Sequence, residues 1–268
     1  MQRSLVRQRY RIGRTELEDT LNAPQVTYPY RLRVEHEGGA GLCMQRRGRT
    51  IRFDPARPVA PGEIVIVTAA DPERLAHVDI EQASVVAAQP VLDWLQPRDG
   101  HAAPVTLDGV QIEMIPYVPA SSQAFALLSK AQGVARRPTS AARRLLARAR
   151  GPRAAPQVTI LTFQSGERLV HLNLSLHRHT PPEWLADMQA RAAGAQWLIV
   201  GVVPGQGDAV IQALAGFSPQ KVLFTDFVAD TWRGLGRPVE LLTPTADQAI
   251  AMGIEGYVFV SQASFRFE

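Results

Sequence analysis

The sequence predicts an α+β protein, a four-layer αββα sandwich in which two mixed β-sheets pack face to face with helices outside. Two observations support this fold class. The first half of the chain passes from short apolar runs separated by turns into an alternation of buried strands and helices. The second half, from about residue 158, repeats the same order. Two similar halves of this kind are typical of two sheets that share one core.

The first half is predicted to contain an antiparallel meander, two buried strands, a helix and a hairpin. Glycine-rich and Arg-Gly-Arg turns separate the strands of the meander. Pro90 suits the first turn of a helix, and Asp108-Gly109 is a strong hairpin signal. The predicted strands cover residues 30–34, 42–44, 50–53, 64–67, 83–87, 105–107 and 110–115, and the helix covers 90–95.

The second half is predicted to hold a hairpin followed by strand–helix alternation. Gly166 supplies the hairpin turn. Thr180 is a favourable N-cap residue, with Pro181 at the first helical position and Glu183 at the third. The predicted strands cover 158–163, 169–174, 196–203, 221–224 and 257–260, and the helices cover 181–193, 208–215 and 245–252.

Composition and charge divide the chain into a body and two basic segments. Hydrophobic residues make up 46% of the 268 residues and charged residues 20%, which indicates a globular protein. No apolar run approaches the roughly 18 residues that a membrane span needs. We expect a basic N-terminal extension over residues 1–27 and a single domain over 28–268, with an Arg-rich insertion at about 130–155. The formal net charge is +4, but residues 130–153 carry eight basic and no acidic side chains, so the rest of the chain is mildly acidic.

Cysteine usage limits both the compartment and the kinds of site. The chain has a single cysteine, Cys43, which excludes an internal disulfide and a cysteine-rich zinc site. We expect Cys43 to be a small buried residue on a strand. A reducing compartment, the cytoplasm, is the expected location.

The order of these elements resembles the metallo-β-lactamase fold, especially its compact metal-dependent hydrolase members, over residues 28–262. The resemblance is carried by a glycine-rich turn, by a strand that ends in Asp54-Pro55, and by a strand followed by Thr68 and, seven residues on, Leu75. Active members have His-x-His-x-Asp-His after this second strand, where imidazoles and a carboxylate hold one or two zinc ions. The resemblance therefore implies where metal ligands would stand in this chain.

At those positions the chain lacks the expected ligands. Alanine cannot coordinate a metal ion, and a permanent positive charge at Arg74 opposes cation binding. A further ligand histidine, expected after the part of the hairpin at residues 115–118, is replaced by residues 119–122, Pro-Ala-Ser-Ser. The degenerate ligand positions are Gly39, Ala69, Asp71, Glu73, Arg74, Asn173 (or Leu174), Thr225 and Asp226. We therefore expect a catalytically inactive protein without metal or other cofactor, which acts as a binding or scaffold subunit for another protein.

An alternative hypothesis is a hydrolase with a relocated metal site. Its candidate residues are His177, His179, Asp71, Glu73 and Asp226, and His171 would add a third imidazole. A simpler interpretation treats Asp71 and Glu73 as acids at a helix N-terminus, and His177 and His179 as rim residues before a helix. The remaining histidines, His36, His77 and His101, are expected on the surface.

A second alternative is binding of nucleic acid or of an acidic partner through the Arg-rich insertion. A cluster of arginines attracts phosphates, but this segment holds no aromatic residue on which bases would stack. The simpler interpretation is a solvated surface insertion. The basic patch comprises Arg136, Arg137, Arg143, Arg144, Arg148, Arg150 and Arg153.

Overall fold

The structure, a computed structural model, describes residues 32–38, 41–69, 75–117, 154–227, 242–260 and 263–267. These residues form fourteen strands and four helices. The strands are β1 Leu32–Gly38, β2 Gly41–Arg46, β3 Arg49–Phe53, β4 Ile64–Val67, β5 Ser84–Ala87, β6 Asp99–Ala102, β7 Val105–Leu107, β8 Val110–Pro116, β9 Gln157–Phe163, β10 Arg168–Asn173, β11 Trp197–Gly201, β12 Lys221–Thr225, β13 Glu255–Phe259 and β14 Ser264–Phe267. The helices are α1 Gln89–Leu95, α2 Pro182–Arg191, α3 Gly207–Leu214 and α4 Thr243–Ala251.

The strands form two seven-stranded sheets of related topology. The first has the order β14-β1-β2-β3-β4-β5-β6, and the second has the order β13-β12-β11-β10-β9-β8-β7. In the first sheet β14, β1, β2 and β3 pair antiparallel, whereas β3 to β6 pair parallel. In the second, β7 to β10 pair antiparallel and β10 to β13 pair parallel. Each half thus has hairpins followed by parallel strands, as the sequence predicts.

Three apolar clusters show how the layers pack. One cluster lies between the sheets and joins residues such as Val34 and Phe53 to Leu161 and Leu223. A second lies between the outer face of the second sheet and helices α2, α3 and α4. The third lies between β4, β5 and helix α1 on the outer face of the first sheet. Helices therefore cover both sheets, which confirms the predicted αββα sandwich.

Several predicted boundaries differ from the observed ones. β1 continues to Gly38, four residues past its predicted end, and β6 and β14 were not predicted. The predicted cap at Thr180 was wrong, because α2 begins at Pro182 with Pro181 at the N-cap and no side-chain capping bond. The Thr180 hydroxyl instead donates to the carbonyl of Ser175 at 2.7 Å, which tightens the turn before the helix. The Arg-rich insertion predicted at about 130–155 lies almost wholly outside the described residues.

The strand directions bring two groups of residues to opposite ends of the sandwich. β3, β4, β10, β11 and β12 all have their carboxyl ends at one end, where ligands bind in open parallel sheets. The turns β2–β3, β7–β8 and β9–β10 lie at the other end. Among the described helices, each is too short or too polar to cross a membrane.

Candidate functional site

A buried polar network centred on Thr68 lies at the carboxyl ends of β3, β4 and β10. We call it the Thr68 hub, and it comprises Asp54, Thr68, Asn173 and the backbone of Gln157. Asp54 Oδ1 accepts the Thr68 amide at 2.9 Å, and the Thr68 hydroxyl donates to Asp54 Oδ2. Asn173 Nδ2 donates to Thr68 Oγ1 at 3.1 Å, and the Gln157 amide donates to the Thr68 carbonyl at 2.7 Å. Every polar atom of Thr68 is therefore engaged.

The hub joins the two sheets. Asp54 and Thr68 follow strands of the first sheet, whereas Gln157 and Asn173 begin and end strands of the second. Asp54 and Asn173 both adopt a left-handed backbone, with φ of 40° and 50°. Aspartate and asparagine tolerate this conformation better than other residues with a side chain. The backbone at each strand end therefore turns as the chain leaves the sheet, next to the hydrogen bonds of the hub.

Three of the predicted ligand positions, Ala69, Asn173 and Thr225, hold neither an imidazole nor a carboxylate. Ala69 presents a methyl group, and its amide donates to Asp54 Oδ1 at 3.3 Å. Asn173 is buried and uses its amide in the hub. Thr225 is buried, and its hydroxyl has no hydrogen-bond partner within the described part of the chain. Gly39, Asp71, Glu73, Arg74 and the seven arginines of the basic patch lie outside the described residues.

Asp226 lies beside a histidine that the sequence interpretation had placed on the surface. His36 Nε2 is 3.8 Å from Asp226 Oδ1, and His36 Nδ1 accepts the Gly38 amide at 3.1 Å. The His36 ring is 1% exposed and packs against Phe227 and Phe259. The surface assignment of His36 was therefore wrong. The missed signal is the alternation of Leu32 and Val34, which continues to His36 on the inward face of β1.

His171 is a second imidazole inside the sandwich. It is fully buried on β10, and its ring meets Phe53 edge-on at 4.9 Å and Phe227 at 5.5 Å between centroids. Phe227 therefore contacts both His36 and His171. An imidazole packed edge-on between aromatic rings is held in the core by apolar contacts.

His177 and His179 lie at the rim, in the turn before α2, with their ring centroids 6.0 Å apart. The His179 amide donates to His177 Nδ1 at 3.0 Å, so the neutral His177 ring carries its proton on Nε2. Nε2 lies 2.6 Å from the Tyr117 hydroxyl, to which it donates. Burial, and secondarily the nearby His179, lower the pKa of His177. Both ring nitrogens are thus engaged when the ring is neutral.

Tyr117 connects this rim to helix α2 and was not singled out in the sequence. Its ring packs against Trp184, and Trp184 Nε1 donates to the carbonyl of Pro116 at 3.1 Å. Burial raises the pKa of the Tyr117 hydroxyl, although a hydrogen bond with Thr180 opposes the shift. No sequence motif connects Tyr117 with His177, Thr180 and Trp184, so only the fold brings these side chains together.

The described side chains do not fit a metal ion. No group of three His, Cys, Asp or Glu side chains within the described ranges is placed to hold one. At the hub, the amide nitrogen of Asn173 points a donor at Thr68, where a metal would need an acceptor oxygen or a neutral nitrogen lone pair.

No protein-family model matches this sequence, and no curated protein is similar to it in sequence. Solved structures are similar in fold. Igni18, a metallo hydrolase from Ignicoccus hospitalis, is 13% identical with a TM-score of 0.58, over 88% of this chain and 98% of that one. A possible metal-dependent hydrolase from Veillonella parvula is 9% identical with a TM-score of 0.54, over 87% and 98%. An isothiocyanate hydrolase from Delia radicum gut bacteria is 9% identical with a TM-score of 0.54, over 88% and 99%.

At these identities the similarities concern the fold alone. The matches cover nearly the full length of each hydrolase, so the whole sandwich is shared, not one motif of it. They confirm the metallo-β-lactamase type of fold predicted from the order of strands and turns.

Proposed function

We propose that this chain is a non-catalytic protein with the fold of metal-dependent hydrolases and that it works as a binding subunit for another protein. One observation carries the proposal. Asn173 stands where the resemblance places a metal-bridging carboxylate, and its side-chain amide donates to Thr68 inside the sandwich. A neutral amide that donates to a neighbouring hydroxyl does not bridge metal ions.

The satisfied hub supports the same conclusion from energetics. Buried polar groups are costly unless they are paired, and the Thr68 hub pairs them with one another. A catalytic site instead needs groups that remain available to substrate or metal. The strand ends therefore act as a structural connection between the sheets, and recognition of a partner falls to the surface.

Elemental analysis of the full-length chain, purified without chelators, tests whether the protein lacks the metal ions that catalysis in this fold would need. We expect zinc, iron and manganese each well below one ion per chain. We also expect the melting temperature to be unchanged by EDTA or by added Zn²⁺, since a metal that binds the native state would raise it. Stoichiometric metal together with a fall in melting temperature on chelation would contradict the proposal.

The binding role needs its own measurement. A protein captured by cross-linking in the source cells should form a complex with the purified chain, with the same Kd in buffer and in EDTA. A Kd that weakens on chelation would overturn a metal-independent binding role. Failure to form any complex with the cross-linked protein would overturn the binding role itself.

The relocated-site hydrolase remains a second proposal, carried by the two adjacent imidazoles of His177 and His179. Its difficulty is that both nitrogens of His177 are already engaged, by His179 and Tyr117. It requires stoichiometric metal that is lost in the double variant His177→Ala/His179→Ala and retained in His77→Ala, which changes an exposed histidine.

Binding through the Arg-rich insertion is a third proposal and rests on composition. It predicts affinity for an acidic polymer that falls steeply with salt concentration. Replacing residues 136–153 with a Gly/Ser linker of equal length should abolish it. Salt-independent binding, or binding retained by the linker variant, would exclude this function.

A further inference from the structure

A cleft of about 140 Å³ opens between the two sheets at the end opposite the Thr68 hub. The turns β2–β3, β7–β8 and β9–β10 surround it, and the cleft is independent of the proposed function. Its walls are largely apolar and include Met44, Ile51, Val110 and Phe163. An apolar cavity of about this size accommodates a single benzene ring.

One side of the cleft is cationic. Arg46, Arg47 and Arg49 all line it, and its described lining contains no acidic side chain. Two acids lie close by: Glu167 pairs with Arg46 at 2.9 Å, and Asp108 precedes the lining residue Gly109. The three arginines outnumber these two acids, so the mouth of the cleft keeps a net positive charge.

Arg46 is held in place beside the cleft by its neighbours. It is 8% exposed, its guanidinium lies 3.9 Å from the centroid of the Phe163 ring, and its Nη2 donates to Ser165 at 2.5 Å and to Glu167. Its Nη1 is buried and has no hydrogen-bond partner within the described residues. A buried guanidinium nitrogen without an acceptor is rare, so Arg46 keeps hydrogen-bonding capacity that the described residues do not use.

We propose that this cleft binds a small carboxylate with an aromatic or short apolar body. The apolar walls take the body, and the arginines at the mouth take the carboxylate. Arg46 contributes the fixed, already oriented guanidinium, whereas Arg47 and Arg49 are exposed and supply charge at the rim. This division is the common one for small-molecule sites, with apolar walls and few polar groups that fix orientation.

Benzoate and its neutral counterpart benzyl alcohol are suitable probes for ligand-observed NMR on the full-length chain. We expect benzoate to bind with a Kd on the order of 1 mM, a reasonable affinity for so small a ligand. Benzyl alcohol should bind at least about tenfold more weakly, because it lacks the charge that the arginines recognise. Equal binding of the two compounds, or no binding of benzoate at about 20 mM, well above that Kd, would overturn the proposal.

Surface variants separate a specific site from non-specific binding without disturbing the core. Arg49→Gln and Gln164→Glu both reduce positive charge at the mouth and should weaken benzoate several-fold. Gln164→Lys should strengthen it. Arg57→Gln removes an exposed arginine that lies outside the cleft lining and pairs with Glu35, and it should leave the Kd unchanged. An equal response to all four variants would indicate adventitious binding and reject the site.

Discussion

The Thr68 hub lies at the carboxyl ends of β3 and β10, and the cleft lined by Arg46 lies at the opposite end of the sandwich. At the hub, the donors and acceptors of Thr68 are all paired, and they join the two sheets. At the cleft, Arg46 is held by Ser165, Glu167 and Phe163 but keeps a buried nitrogen without a described partner, beside open space. Both ends bury polar groups, and at the second end the unpartnered group belongs to a side chain that lines open space.

This difference separates a structural polar network from a candidate binding site. The hub lies where the resemblance places the metal ligands of active members, yet its polar groups form hydrogen bonds with one another. The cleft lies where the fold has hairpin turns, yet it combines volume, charge and an unsatisfied donor. The position of a polar cluster within a fold is therefore a weaker guide to function than whether its groups are already paired.

The largest expected effect is that of Thr68→Val, which removes the hydroxyl at nearly constant volume. Asn173 Nδ2 loses its acceptor and Asp54 Oδ2 loses one hydrogen bond, both in a buried environment. We expect the free energy of unfolding to fall by about 3 kcal/mol, since each buried unsatisfied group costs about 1–3 kcal/mol. Urea denaturation measures the change. Thr106→Val, at an exposed strand position, is the control, and an equal effect in both variants would refute the role of the hub.

Next in size is the effect of Asn173→Ala. The variant loses the bond to Thr68 and places alanine at a φ of 50°. Because a left-handed backbone costs a residue with a Cβ about 1–2 kcal/mol, we expect a loss of about 2 kcal/mol. Asn173→Gly relieves the backbone strain but not the lost bond, and should be the less destabilised variant in thermal unfolding. The reverse order would show that strain at this position is negligible.

The cleft end predicts a smaller, acid-sensitive effect. Hydrogen bonding by Ser165, followed by that of Arg46, lowers the pKa of Glu167 from the usual 4.5 to about 2. The stabilisation is therefore complete above about pH 4.5 and is lost as the pH falls toward 2. We expect Glu167→Gln to cost about 1 kcal/mol at neutral pH and almost nothing near pH 2. Unfolding curves of both proteins across this range test it, and a constant difference would contradict it.

The smallest effect is expected at the rim. The pKa of His177 lies below its usual 6.5, because burial disfavours the charged ring. Folding then opposes protonation, so this residue contributes stability above about pH 6.5 that is lost as the pH falls through its lowered folded pKa. We expect His177→Gln to flatten the fall in stability between pH 7 and pH 5 by about 0.5 kcal/mol. His77→Gln changes an exposed residue and should leave this fall in stability unchanged. A pKa of His177 above 6.5, measured by proton NMR, would contradict the assignment.

The sequence predicted the sandwich well because its strands are short apolar runs between clear turns. Two strands were missed for physical reasons. β6 reads Asp-Gly-His-Ala and has no β-branched or large apolar residue to mark it. β14 reads Ser-Phe-Arg-Phe, where the alternation of Phe265 and Phe267 was a usable signal within a very short segment.

The candidate site was less predictable because its contacts are long-range. Asp54 and Thr68 could be recognised as strand ends, but the bond from Asn173 to Thr68 spans 105 positions. His36 was misplaced because the predicted first strand ended at residue 34, two residues before it, whereas β1 continues to Gly38. The partner of His177 was hidden as well, since Tyr117 lies 60 positions away with no motif to connect them.

The pairing of β1 with β14 has a consequence for the order of folding during synthesis. The last described strand, β14, pairs with β1 on this side of the first sheet, and Arg33 donates to Ser264 across 231 positions. A chain emerging from the ribosome therefore has β1 with one unpaired edge until β14 has been released. Unpaired strand edges are templates for association between chains. Ribosome-bound intermediates of this protein are thus expected to depend on chaperones for longer than its local hairpins alone would suggest.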